Sequence, residues 1–147
     1  MTYKAVILDR ASHDVVVDIV KTEFGITEGV EVIGHHMTIT MGTDSKGKFP
    51  GYVTGEQLQL QVVAVGRNET NTAVKINPPF PTKNCKKSCA HITVTVDREA
   101  GGKPAHSNKI TEWKELDKPV VIKGRVDVMI SISAQQPPPK QQRTCML

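Results

Sequence analysis

Alternation of apolar and polar residues along the chain predicts six strands and two helices. Runs with a period of two, the period of side-chain direction along a strand, occur at 3–9, 30–42, 58–65, 72–76, 91–97 and 119–133. Apolar residues recur at helical spacing from Val15 to Phe24, which predicts a helix capped by Ser12 or Asp14 and ended by Gly25. A second, short helix is predicted at 109–116. Strands dominate, so the pattern predicts an α+β fold.

The segments between these elements are rich in glycine, proline and polar residues, which favours loops. They cover 43–56, 67–71, 77–88 and 98–108. From Ala134 onwards the chain has three consecutive prolines and little to bury, a composition typical of disorder. The sequence therefore predicts one domain over 1–133 and a disordered tail over 134–147.

Two of the predicted strands contain the same pattern. Residues 36–41 read His-Met-Thr-Ile-Thr-Met, and residues 91–96 read His-Ile-Thr-Val-Thr-Val. Strand geometry predicts that one face of each carries the histidine and both threonines, and the other face the apolar row. The repeat predicts two related sheet halves whose histidine faces line a cleft. His35 precedes His36 and points the other way, so His36 is the residue that aligns with His91.

Two histidines beside one phosphate can carry out phosphodiester chemistry without a metal. A neutral imidazole takes a proton from water or a ribose 2′-hydroxyl, and a protonated imidazole donates one to the leaving oxygen. An unperturbed pKa of about 6.5 suits both roles. We therefore predict His36 and His91 as the acid and base, in either order. The hydroxyls of Thr38 and Thr93 are predicted to donate to the phosphate oxygens.

Composition narrows the class of function. The chain has 147 residues, of which 38% are hydrophobic and only 4% aromatic, so we expect an aliphatic core. A net charge of +4 suits an anionic ligand, but the basic runs are sparser than in non-specific nucleic-acid binders. No run approaches the roughly 18 apolar residues of a membrane span, and residues 1–10 carry no secretory signal pattern. We expect no membrane partner.

The cysteines suggest an alternative use for His91. Cys85, Cys89 and His91 are candidate zinc ligands, but the spacing is unlike that of a common zinc finger and no obvious fourth ligand follows. Cys145 makes the number of cysteines odd, which favours reduced thiols inside a cell. Zinc and the two-histidine mechanism compete for His91. We favour the second, which requires no cofactor.

Residues near the two motifs offer further contacts to a nucleotide. Tyr3 and Trp113 can stack on bases, although Trp113 is equally suited to fill the core. Loop residues after the second motif can contact phosphate or ribose, or shape a turn: His106, Ser107 and Asn108. A lysine cluster before that motif can attract an anion or be a solvated loop: Lys83, Lys86 and Lys87.

The paired motifs resemble the His-x-Thr signature of the 2H phosphoesterase superfamily, which includes RNA 2′,3′-cyclic phosphodiesterases and 2′-5′ ligases. They resemble more closely a phage group within it, the anti-CBASS cyclic-oligonucleotide phosphodiesterases. The likeness is specific at His35 to Gly42, at His91 to Thr93 and in the Lys-Pro-x-x-Ser-Asn stretch from Lys103 to Asn108. In order of elements it extends over roughly residues 3 to 130.

This resemblance implies a two-lobed fold of antiparallel sheets around a central cleft. It implies a cyclic di- or trinucleotide immune signal as substrate, cut at its 3′-5′ linkages in the cytoplasm of an infected host cell, as viral counter-defence. It also adds Lys103 to the substrate-binding residues. Two alternatives stay open: an RNA 2′,3′-cyclic phosphodiesterase acting on RNA ends, and a module that binds nucleotides without cleaving them. Base specificity and oligomeric state are not predicted.

Overall fold

The computed structural model of the protein describes residues 2–41, 51–80, 82 and 90–130. Strands make up most of the described chain, and two helices lie between them. The elements are β1 Thr2–Leu8, α1 Arg10–Phe24, β2 Glu31–Val32, β3 His36–Met41, β4 Gln57–Arg67, β5 Asn71–Asn77, β6 His91–Val96, a 3-10 helix Pro104–Lys109 and β7 Trp113–Ile130. The predicted α+β class, with antiparallel strands and few helices, is confirmed.

The strands form one antiparallel sheet in the order β2-β6-β5-β4-β7-β1-β3. β2 and β3 follow each other in the chain but occupy opposite ends of this order, so the sheet must curl. Pairing of β2 with β6 continues through a hydrogen bond from Gly34 N to Thr93 O (2.9 Å), and the chain then crosses to pair with β1. β3 and β6 come within 8 Å between Cα atoms, although they are not neighbours in the strand order.

The repeat in the sequence is matched by a repeat in strand register. Thr38 of β3 lies opposite Ala5 of β1, and Thr93 of β6 lies opposite Ala73 of β5. Directly after each of these pairs the register shifts, and one motif residue is left without a partner, as in a β-bulge. The two motif strands are therefore alike in their strand register as well as in their sequence.

The bulge in β6 separates its two threonines. Thr95 pairs with Thr72, whereas Thr93 pairs with Ala73. Since Thr72 and Ala73 are adjacent residues of a strand, they point to opposite faces. The hydroxyls of Thr72 and Thr95 lie 2.6 Å apart, so Thr95 faces away from Thr93. The prediction that both threonines share the histidine face is wrong here, because simple alternation does not foresee a bulge.

The opposite face of the sheet packs on α1 and forms the core. Met37 and Ile92, which follow the two motif histidines, are fully buried in the same cluster as Val16 and Val20 of α1. Tyr52 is the one fully buried aromatic residue of this cluster among the described residues. The predicted burial in an aliphatic core is confirmed for four residues of the apolar row: Met37, Ile39, Ile92 and Val94. Val96 is buried outside this cluster, and the side chain of Met41 lies outside the described residues.

Helix α1 begins earlier than predicted. Asp9 is its N-cap and accepts a hydrogen bond from Ser12 N at 2.8 Å. Ser12 Oγ instead accepts from the backbone N–H of Lys123 at 2.7 Å and so joins the helix to β7. The prediction of Ser12 or Asp14 as the cap is therefore wrong. Gly25 ends the helix as predicted, with φ of 77°, a conformation that glycine adopts without strain.

The predicted helix at 109–116 is also wrong. The 3-10 helix lies earlier, and Trp113 begins a strand of 18 residues. Trp113 pairs with Gly66 of β4, where a Cβ atom would come within 2.7 Å of its indole ring. This segment forms a strand despite its local helix propensity, because β4 offers a pairing partner and Gly66 leaves room for the indole ring.

The loops that follow β3 and precede β6 are held together where they are described. Phe80 packs against Gly51, whose missing side chain leaves room for the phenyl ring. Tyr52 is buried, and its hydroxyl donates to the carbonyl oxygen of Phe80. Lys4 Nζ donates to Tyr52 O at 2.8 Å, which joins both loops to β1.

Candidate active site

The two predicted acid/base residues lie close together. β3 places His36 and β6 places His91 at the start of their strands, and these strands approach each other across the curled sheet. The pKa of His36 is lowered to about 4, first by desolvation and then by the charges of His35 and His91. His36 as a whole residue is only partly buried, but the protein around its imidazole replaces enough water to disfavour the imidazolium. His36 is therefore neutral at neutral pH.

Tyr3 forms one wall of this site. Its ring centroid lies 5.6 Å from that of His36, with the planes tilted by 43°. Burial raises the pKa of the Tyr3 phenol, so its hydroxyl stays protonated and can donate. The predicted base-stacking residue is thus next to His36, where it also contributes to the desolvation of the imidazole.

Thr38 has a hydroxyl that is open to a ligand. It is half-buried and lies two residues beyond His36 on a strand, about 7 Å along it. Among the residues that the structure describes, none makes a hydrogen bond to its side chain. A donor without a protein acceptor, beside a neutral imidazole, is suited to bind an anion.

Thr93, the equivalent residue of β6, is held by the protein. Its hydroxyl donates to Ser107 Oγ at 2.8 Å and lies 3.4 Å from Pro104 O. Ser107 is buried and also accepts from Asn71 Nδ2 at 2.9 Å. The two predicted phosphate ligands therefore differ: the hydroxyl of Thr38 is available, whereas that of Thr93 orients the 3-10 helix.

Asn71 was missed by the sequence analysis, which placed it in a turn. It is 1% exposed, and its amide donates to Lys103 O and Ser107 Oγ, both at 2.9 Å. Its Oδ1 accepts from Thr70 Oγ1 at 2.7 Å. Asn71 thus fixes the 3-10 helix against β5 and β6. An asparagine in a polar segment carries no sequence signal of burial, so only the tertiary structure identifies it.

The other predicted binding residues lie at different distances from the pair. Lys103 is the N-cap of the 3-10 helix and Asn108 lies in it; both are exposed. Ser107 of the same helix contacts β6. Trp113 lies in the cross-strand row Thr93–Ala73–Gly66–Trp113, three strand spacings or about 14 Å from Thr93 along the sheet. Trp113 is half-buried over Gly66, and the structure does not bring it to the histidines.

The zinc alternative and the lysine cluster fall on residues outside the described ranges: Cys85, Cys89, Lys83, Lys86 and Lys87. Within the described part of the chain, no three histidine, cysteine or acidic side chains cluster closely enough to hold a metal ion. No helix in that part combines the length and the apolar character needed to cross a membrane.

Searches against protein-family models and against curated proteins find no match to this chain. The function is therefore argued from the site. A neutral imidazole, an available hydroxyl and a protonated phenol lie on the paired strands β1 and β3. A second histidine lies on β6, which comes within 8 Å of β3 between Cα atoms. These groups include a proton acceptor and donors of the kind that bind an anion.

Proposed function

We propose that the protein is a metal-independent phosphodiesterase of the 2H type that cleaves the 3′-5′ linkages of cyclic di- or trinucleotide immune signals. One observation carries this proposal: two copies of a His-apolar-Thr strand with the same bulge come within 8 Å of each other between Cα atoms, and one of the two histidines is neutral. In this proposal the space between β3 and β6 is the substrate cleft. The cyclic-oligonucleotide substrate and the role in viral counter-defence rest on the resemblance of the motifs.

The pKa of His36 assigns the roles of the two histidines. With a pKa of about 4, only about 0.1% of His36 is protonated at pH 7. His36 is therefore the base of the first step, and His91 is the acid. His36 takes the proton of the ribose 2′-hydroxyl, whose oxygen attacks phosphorus. The bond from phosphorus to the 5′-oxygen breaks, and His91 gives its proton to that oxygen.

The second step reverses these roles. His91, now neutral, takes a proton from water, and the water oxygen attacks the 2′,3′-cyclic phosphate. His36, now protonated, gives its proton to the departing ribose oxygen. The negative charge of the phosphate raises the pKa of His36 while the substrate is bound. This helps His36 to act as the base and to hold the proton between the two steps.

Thr38 and the end of the 3-10 helix bind the phosphate in this scheme. Thr38 donates to a non-bridging oxygen, which gains charge in the transition state. Thr93 and Ser107 hold the 3-10 helix in place, so that Lys103 adds positive charge at the edge of the cleft. Tyr3 stacks on a base next to His36. No step requires a metal, because the two imidazoles supply both proton transfers.

The test is an incubation with chelator against a cyclic dinucleotide and a 2′,3′-cyclic mononucleotide, with products read by chromatography. We expect cleavage of the dinucleotide, reduced by a factor of about 10² to 10⁴ in His36→Gln and in His91→Gln. Far-ultraviolet circular dichroism checks that both variants fold. Undiminished turnover in the double variant sinks the proposal.

The same experiment separates the alternatives. Cleavage of the mononucleotide alone assigns the protein to RNA ends. Intact nucleotides recovered after long incubation, together with measurable binding, assign it to the binding modules. Activity that appears only when zinc is added favours the alternative in which Cys85, Cys89 and His91 bind zinc.

A further inference from the structure

A cavity of about 320 Å³ lies near His36, where β1 ends and α1 begins. Its lining residues are Ile7, Leu8, Asp9, Arg10, His13 and His35. Ile7 is the cross-strand neighbour of His36, and side chains so paired have Cβ atoms about 5 Å apart. The cavity and the candidate active site therefore share a wall.

The walls of this cavity suit a flat ring. Ile7 and Leu8 supply apolar surface. The rings of His13 and His35 lie 5.2 Å apart between centroids, tilted by 49°. His13 is fixed because its Nδ1 donates to Gly34 O at 2.9 Å. Gly34 has φ of 63°, and a Cβ there would lie 3.2 Å from His13 Nδ1, so this position favours glycine.

The polar groups of the cavity have a defined hydrogen-bonding pattern. Asp9 Oδ1 accepts from Ser12 N, and this hydrogen bond lowers the pKa of the Asp9 carboxyl, which is therefore an ionised acceptor. Arg10 is 88% exposed and lies 3.5 Å from Asp14, a loose pairing that leaves its guanidinium able to donate. The cavity thus offers a carboxylate acceptor next to a guanidinium donor.

Guanine is the nucleobase that matches this pattern. Its N1–H and N2 amino group are adjacent donors for a carboxylate, and its O6 and N7 are adjacent acceptors for a guanidinium. Adenine presents N1, an acceptor, where guanine presents a donor. We propose that the cavity lined by Asp9, Arg10, His13 and His35 binds a guanine base.

The cavity also indicates which nucleotide is bound. This identification rests on the proposed phosphodiesterase function. In that function a phosphate lies between His36 and His91, and the guanine belongs to a nucleotide adjoining this phosphate. Guanine-containing cyclic oligonucleotides are then the preferred substrates. A cyclic dinucleotide of guanine is cleaved with a higher kcat/KM than the adenine equivalent.

Binding is tested by titrating the protein with guanosine, inosine and adenosine 5′-monophosphates, which differ only in the base. Calorimetry gives the affinities, and the ring resonances of His13 and His35 report the site. We expect guanosine monophosphate to bind at least about tenfold more tightly than adenosine monophosphate, because the donors on N1 and N2 are lost in adenine. Inosine monophosphate, which lacks the amino group, is expected in between.

The decisive variant is Asp9→Asn. Asparagine caps helices as well as aspartate does, so α1 is retained while a donor replaces an acceptor in the cavity. We expect an unchanged melting temperature and no remaining preference for guanine. Asp18→Asn makes the same charge change at an exposed position of the same helix that does not line the cavity, and it should leave the affinities unchanged.

Equal affinity for the three nucleotides, or a guanine preference that survives Asp9→Asn, overturns the cavity assignment. The outcome is separable from that of the phosphodiesterase. Cleavage of cyclic dinucleotides without base preference leaves the enzyme and removes the guanine site. Selective binding of guanosine monophosphate without any cleavage leaves the guanine site and removes the enzyme.

Discussion

His36 differs from an ordinary surface histidine in its protonation. A pKa near 6.5 makes a free histidine a mixture of two forms near neutral pH. Desolvation lowers the pKa of His36 to about 4, so one form is selected before any ligand binds. The folded state is destabilised as pH falls, because the imidazole of His36 binds a proton more tightly in the unfolded chain than in the folded one.

The first prediction is a pH dependence at His36. In the folded protein its ring resonance should titrate with a midpoint near pH 4. The folded pKa is below the unfolded one, so this group does not affect stability well above pH 6.5. As pH falls from 6.5 toward 4 it destabilises the fold by at most about 3 kcal/mol. A midpoint near 6.5 contradicts the buried environment.

The matched measurement is urea unfolding at pH 7 and pH 5 in the wild type and in His36→Gln. Other groups also titrate in this range, but they are shared by both proteins. The wild type should lose more free energy of unfolding than His36→Gln between the two pH values. Equal losses mean that His36 is not responsible.

The second prediction separates Thr38 from Thr95. Thr38→Val removes a hydroxyl that has no protein partner in the described part of the chain, so kcat should fall by about 10² while the melting temperature stays unchanged. Thr95→Val removes a partner of Thr72 on the other face. It should lower stability by about 1 kcal/mol and leave kcat intact. The opposite pattern contradicts the assigned faces.

At the scale of elements, the two motif strands are less equal than their sequences. The hydroxyl of Thr38 in β3 has no protein partner in the described part of the chain, whereas the hydroxyl of Thr93 in β6 donates to Ser107 of the 3-10 helix. The difference arises because Asn71 and Ser107 supply buried partners on one side. One copy of the motif thus has an available hydroxyl, and the other holds the 3-10 helix.

The third prediction concerns Asn71. Asn71→Ala leaves Lys103 O and Ser107 Oγ without their shared donor, which should cost about 1 to 3 kcal/mol of stability, the range for buried unsatisfied groups. The 3-10 helix then loses its position, so kcat/KM should also fall. Urea unfolding and initial rates measure the two effects.

Asn77→Ala is the control for Asn71→Ala. Asn77 lies at the other end of β5, is exposed, and its amide is 3.5 Å from Gln61 Oε1. We expect a change in stability within about 0.5 kcal/mol and unaltered kcat/KM. If both alanine variants behave alike, the buried amide of Asn71 does not organise the 3-10 helix.

At the scale of the whole molecule, a single sheet and α1 share one core. Residues from β1, β3, β4, β5, β6, β7 and α1 belong to the same buried cluster. The first and last described strands are also joined directly, because β1 pairs with β7. The two motif strands therefore lie on a single structural unit.

The fourth prediction is cooperative unfolding. Trp113 is the one tryptophan of the chain and lies where β7 pairs with β4. Its fluorescence and the far-ultraviolet circular dichroism of the whole sheet should change at the same urea concentration, as in a two-state transition. If the fluorescence and the circular dichroism have different midpoints, the region around Trp113 unfolds independently of the rest of the sheet, which contradicts the prediction.

Local periodicity was readable from the sequence alone, because it depends only on neighbouring residues. The strands at β1, β4, β5 and β6, the apolar stripe of α1, the burial of Met37 and Ile92 and the approach of His36 to His91 were all predicted. The domain boundary at residue 133, the tail and the phosphodiesterase activity stay predictions. The strand, helix and burial predictions follow from patterns with a period of two or 3.6 residues, and the approach of the two histidines follows from the repeat of the motif.

The remaining features depend on residues far apart in the chain. The strand at Trp113 requires Gly66, the bulge in β6 requires the register with β5, and the burial of Asn71 requires the 3-10 helix. The low pKa of His36 arises from desolvation, which no local pattern encodes. The residue types and their alternation thus specify which side chains can do chemistry. Tertiary packing decides which are neutral, buried or available, because it controls access to water.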